Sequence, residues 1–278
     1  MPRHSAQQGT VGLLDETVCL VRATAVPALA VYYIGSLPGV LAILYFLADM
    51  RNNAYAAEHC AGAALATAFW FLWMKTWQTR YCAHLWAAVT CADLPRWRPR
   101  QTLALFLRQA VLQPWGLVLS PGGSLALFIL PFLLLGTISI VYTPFSLLAL
   151  VILLPLWGLF GPFFQRVTVL SARTSPDGQP VSRRALKLSA AGFIHDLQLN
   201  LMLVVGLALA QVIVMVSLAM LPFALKKAFG IDSAFTHGWP HAMFNPSAFA
   251  LALACCYLLF DPFVKAAYVL RSFYTESR

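Results

Sequence analysis

Along this chain, long uncharged apolar stretches alternate with short cationic ones. Ala23 to Ala48 holds 26 residues without a charge, Gln109 to Gln165 holds 57, Leu197 to Leu225 holds 29 and Ser233 to Phe260 holds 28. A shorter run of 16 extends from His59 to Met74, with Trp77 beyond Lys75 stretching it. A helix needs about 20 residues to cross a bilayer. The 57-residue run therefore suits two crossings, with Thr143-Pro144 as the turn. The pattern predicts an all-α membrane protein with six transmembrane helices, near 25–48, 58–77, 123–142, 144–165, 197–222 and 245–264.

Composition supports lipid as the solvent. Of 278 residues, 60% are hydrophobic and 10% are charged, against roughly 25% charged in a soluble domain. So little charge could not cover a globule of this size with a polar surface. The first apolar run begins after Arg22 and is far longer than the core of a cleavable signal, so it is expected to serve as a signal-anchor.

Charge then sets the orientation. Sixteen of the 19 Lys and Arg fall in the N-terminal segment, the loops after spans two and four, and the C-terminus. Arg51, Lys226 and Lys227 fall on the other side. Basic loops remain cytoplasmic, which places both termini inside. The net charge of +9 needs no nucleic acid to explain it. Its expected partner is a bilayer with an anionic inner leaflet, worth about 1 kcal/mol per cation near the surface. Most of the six cysteines lie in cytoplasmic or membrane segments and read as reduced thiols.

One junction is written twice. LFGPFFQRVTVL (159–170) and LFDPFVKAAYVL (259–270) match at six of twelve positions with an offset of 100. Both copies fall at the cytoplasmic end of an even-numbered span, which predicts parallel repeats about an axis along the membrane normal. Each has a basic amphipathic prelude expected at the membrane interface, RQTLALFLRQAVLQ (100–113) and RRALKLSAAGFIHD (183–196). With LLDETVCLVR (13–22) as a worn third prelude, the repeat units are 13–90, 100–171 and 183–272 within one membrane domain. At the junctions, Pro162 and Pro262 should bend the helix ends and free a carbonyl. Arg166 and Lys265 should snorkel to the headgroups. Asp261 and Lys265, four apart, can pair.

Four polar clusters stand out, and each has a plain alternative. Glu58-His59-Cys60 reads better as the polar start of a helix than as a metal site. Cys82, His84, Cys91 and Asp93 lack the Cys-x-x-Cys spacing of structural zinc and read as part of an amphipathic helix. His237 and His241 flank Gly238 and Pro240, so a headgroup-contacting turn is favoured. His195, Asp196, Gln198 and Asn200, at the entry to span five, form the polar cluster best placed to face a cavity, though Gln and Asn often serve as interhelical contacts. No cofactor or metal site emerges from the spacing. Neither a GxxxxGK[ST] loop, an HExxH nor a GxSxG is present.

The ending DPFVKAAYVLRSFYTESR (261–278) resembles that of a family of uncharacterised bacterial inner-membrane proteins often encoded near MoxR-type ATPases. The plan of interfacial helix plus hairpin is similar to the membrane domain of some glycerophosphoryl diester phosphodiesterases, whose catalytic domain this chain lacks. The resemblance implies a bacterial inner-membrane location and transfers no catalytic residue. Three functions remain: a non-enzymatic scaffold that docks a partner on its basic face, a permease or lipid-handling protein, and an intramembrane enzyme. Short loops and missing catalytic groups favour the first.

Overall fold

The computed structural model describes residues 9–93, 99–119, 161–173, 180–230 and 246–276. Spans three and four, apart from the end of the latter, lie outside the described residues, as do the Thr143-Pro144 turn and the His237–His241 loop. Every regular element among the described residues is an α-helix. In chain order they are α1 (Thr10–Ala23), α2 (Val26–Asn52), α3 (Ala56–Thr90), α4 (Pro99–Leu119), α5 (161–171), α6 (Val181–Ala191), α7 (Phe193–Phe229) and α8 (Pro246–Glu276).

Three of these, α2, α7 and α8, are long and apolar enough to cross a membrane. The helices outrun the apolar segments. α3 continues 13 residues past the predicted end of span two at residue 77, to Thr90. Nothing in Lys75–Thr90 breaks a helix, and the stretch packs its Tyr81, Cys82, Leu85 and Trp86 into the core. It ends where Cys91 adopts a left-handed φ of 52°.

Contacts give the directions. Gln78 meets Asp261 and Trp86 meets Phe273, so α3 and α8 run in parallel. Gln165 meets Lys265 and Arg173 meets Glu276, so α5 runs with them. α2 opposes α3, because Gly35 lies against Trp77 and Gly39 against Met74. α7 opposes α8, with Asp196 on Arg271 and the Leu207 carbonyl near Cys256 Sγ. α1 packs at the C-terminal end of α8, where the Tyr274 hydroxyl donates to Glu16 at 2.6 Å.

The α2–α3 seam depends on glycine. A Cβ on Gly35 would overlap the Trp77 side chain, and one on Gly39 would sit 3.0 Å from the Trp70 carbonyl oxygen. Gly35-x-x-x-Gly39 is the small-residue spacing that lets helices approach closely in lipid, where packing rather than the hydrophobic effect drives association. Gly35→Leu should therefore lower the detergent-solubilised unfolding midpoint, at a cost of about 3 kcal/mol, the upper end for overpacking. Gly62→Leu is the control, since a Cβ there meets nothing within 4 Å. An unchanged midpoint for Gly35→Leu would contradict the close seam.

Prolines inside α2, α7 and α8 do not interrupt the helices. Pro262 removes the donor that would reach the Leu258 carbonyl. The Tyr33 hydroxyl of α2 donates to that oxygen instead, at 3.4 Å. A neighbouring helix thus serves the carbonyl that proline frees.

Candidate functional site

Burial is partly inverted relative to a soluble protein: beside an apolar core, charged and amide side chains are enclosed while large aliphatic ones are bare. The largest fully buried side chains include Arg166, Lys265, Gln78 and Gln109. The exposed side chains include Leu201, Val205, Leu209, Val212, Ile213 and Val216 along α7. α4 shows the inversion within one helix. Leu105, Gln109 and Gln113 face inward, while Leu103, Leu107 and Val111 face outward. Gln113 donates to Gln109 Oε1 at 2.7 Å, and Gln109 reaches Thr79 Oγ1 at 3.4 Å.

Among the described residues, two ionic centres occupy the interior. The first gathers around Asp261 on α8. Its Oδ2 accepts from the Tyr32 hydroxyl of α2 at 2.9 Å and from Gln78 Nε2 of α3 at 3.0 Å. Its Oδ1 lies 3.5 Å from Lys265 Nζ, one turn on. Lys265 donates in turn to Gln165 Oε1 of α5 at 2.6 Å. Gln78 also donates to the Tyr257 hydroxyl, at 2.8 Å. One carboxylate therefore joins α2, α3 and α8 directly and α5 through Lys265.

The second gathers around Asp196 on α7. Arg166 Nη2 of α5 donates to Oδ1 at 3.0 Å and lies 2.8 Å from Oδ2. Arg271 Nε of α8 donates to Oδ1 at 2.8 Å. Arg271 Nη2 also reaches the Gly192 carbonyl, between α6 and α7, at 3.4 Å. A Cβ at Gly192 would lie 2.7 Å from that nitrogen, so a larger residue would make the guanidinium shift. Arg166 and Asp196 side chains are both 0% exposed. A third, shallower cluster closes the same end of the bundle: Glu276 takes Arg173 at 2.6 Å and Arg184 at 2.8 Å. Arg173 also stacks over Trp86 at 3.9 Å.

These positions correct two expectations. Arg166 and Lys265 do not snorkel. They turn into the bundle, because Asp196 and Asp261 offer buried counter-charges that the headgroups would otherwise supply. The four-residue cluster at the start of α7 divides between two faces. Asp196 and Asn200, four apart, are buried, while His195 and Gln198 are exposed, the latter accepting from the Thr10 hydroxyl at 3.2 Å.

His59 Nε2 pairs with Asp49 Oδ2 at 2.7 Å, across the α2–α3 hairpin end. Cys82 is buried, and burial pushes its thiol up to about 12. Burial, then the nearby Arg80, holds His84 below its ordinary value. A neutral thiol is a poor metal ligand, and no group of three metal-binding side chains gathers among the described residues.

No protein-family model, curated protein or solved structure matches the chain. Its reading rests on its own geometry.

The residue pattern assigns no interior role to Arg271, Tyr32, Gln78 or Gln165. Their partners lie 75 to 229 residues away and so leave no local trace. Polar pairs four apart in apolar surroundings, such as Gln109/Gln113, were the available signal for an inward polar stripe.

Proposed function

We propose that this is a six-span bacterial inner-membrane protein with both termini cytoplasmic, a non-enzymatic scaffold that docks a partner on its basic face. The observation that carries the membrane part is the pairing of enclosed ions with bare Leu, Val and Ile along α7, a helix apolar enough to cross a membrane. In water that distribution would expose a large apolar surface. In lipid it is the stable one.

For the scaffold part, the described interior carboxylates Asp196 and Asp261 are both engaged by cations that tie helices together. Exposed cations open to such a partner include Arg22, Arg100 and Arg108. Three helical units, 13–90, 100–171 and 183–272, fit the parallel course of α3, α5 and α8. So does the contact between Gln165 and Lys265, which occupy matching positions of the repeated junction.

A reporter fused after Ser233 should read external, and one after Asp177 internal; the opposite result would overturn the topology. Purified from its membrane in mild detergent, the protein should carry a stoichiometric partner that Arg100→Glu with Arg108→Glu releases. Recovery alone under all conditions would sink the scaffold. The polar bundle interior favours a second reading, a permease or lipid-handling protein. That reading gains if the protein reconstituted without a partner moves lipid or solute across vesicles.

A further inference from the structure

α6 carries three cations and no acid: Arg183, Arg184 and Lys187. They do not share one fate. Arg184 is drawn inward by Glu276 at 2.8 Å. Arg183 and Lys187, four apart, are exposed, and neither pairs with an acid among the described residues. The helix packs on α5 through Ala185 and Leu188, which contact the cluster of Val167 and Leu170. At 100° per residue, Arg183, Leu186, Lys187 and Ala190 lie on the opposite side from that packed face. Leu186 is 46% exposed, and Ile194, just past the Gly192 break, is 66% exposed.

Cations and bare aliphatic side chains therefore share one outward face, at the entrance to α7, a helix apolar enough to span a membrane. We infer that α6 is a seat for anionic phospholipid: Arg183 and Lys187 take headgroup phosphates while Leu186 and Ile194 enter the acyl boundary. An acidic soluble protein would satisfy the cations but would leave no reason for Leu186 and Ile194 to be bare. A zwitterionic headgroup would bring an ammonium group to a helix with no acid to receive it. An interfacial helix with this mixture binds through buried apolar area plus attraction to anionic lipid.

The inference rests on the membrane reading above, and one experiment separates the two. The full-length protein is reconstituted in phosphatidylcholine vesicles holding a minority of phosphatidylglycerol. Spin-labelled forms of both lipids then report the motionally restricted shell. The wild-type shell should favour phosphatidylglycerol. Arg183→Gln with Lys187→Gln should lower that preference by at least about fivefold, the factor for one surface cation, and raising salt to about 1 M should do the same. The charge-conserving swap Arg183→Lys with Lys187→Arg should keep it, as should Lys227→Gln at the far end. Should the double variant be recovered unfolded, the two single neutralisations carry the test, each removing part of the preference. An unchanged preference in neutralised protein that still restricts phosphatidylcholine overturns the lipid seat and leaves the membrane reading standing. Absence of a restricted shell for either lipid overturns both.

Discussion

Asp196→Ala should be among the most damaging single substitutions outside the glycine seam, at about 3–5 kcal/mol, the cost of leaving a buried charge without its partner. Arg166 is fully enclosed, and its described counter-charge is Asp196. Removing the carboxylate also strands Arg271 Nε, which donates to the same oxygen. The pair itself contributes little net stability, because desolvating two ions offsets most of their attraction. The asymmetry is testable. Asp196→Leu combined with Arg166→Met should recover much of the loss, since apolar groups of similar size often replace a buried pair at small cost. Unfolding midpoints in one detergent would measure both. If Asp196→Ala unfolds with the wild type, Arg166 has another counter-ion and the three-helix centre is not holding the bundle together.

The membrane character and helical class were legible in the sequence for a strong reason. In hydrocarbon the backbone must satisfy its own hydrogen bonds, so an uncharged run of about 20 residues has few alternatives to a helix. The helix ends were less legible. α3 runs through Lys75, Arg80 and His84 to Thr90, because charge marks where lipid ends and not where a helix does. The junction residues show a deeper limit. Composition places Arg166 and Lys265 at an interface, where a lone cation would snorkel. What turns them inward is a carboxylate: for Lys265 the neighbour Asp261, four residues away, and for Arg166 the distant Asp196, 30 residues on. The first pairing could be read from its spacing. The second required the fold.

The cluster at the start of α7 illustrates the same point from the other side. Its four polar residues looked like one site because they are consecutive in kind. Helical geometry sends Asp196 and Asn200 to one face and His195 away from it. Gly192 had no apparent role in the sequence. It acquires one only when Arg271, 79 residues later, lays its guanidinium against the Gly192 carbonyl.

Asp261→Leu should be as costly as Asp196→Ala, about 3–5 kcal/mol, but its effect should spread differently. Asp261 accepts from Tyr32 and Gln78 and lies beside Lys265. Its loss leaves a buried ammonium with Gln165 Oε1 as its acceptor, and leaves the Tyr32 hydroxyl of α2 without its bond to α8. Interhelical hydrogen bonds in membranes average about 0.6 kcal/mol, so Tyr32→Phe alone should cost less than about 1 kcal/mol. The charge, not the hydrogen bonds, dominates. Asp261→Asn discriminates between the two: it keeps an acceptor for Tyr32 but removes the counter-charge for Lys265, and should cost nearly as much as Asp261→Leu. Adding Lys265→Met to Asp261→Leu should then restore most of the midpoint. If Asp261→Asn is instead nearly silent, the centre is held by its hydrogen bonds, and the electrostatic account of how α2, α3, α5 and α8 are joined fails.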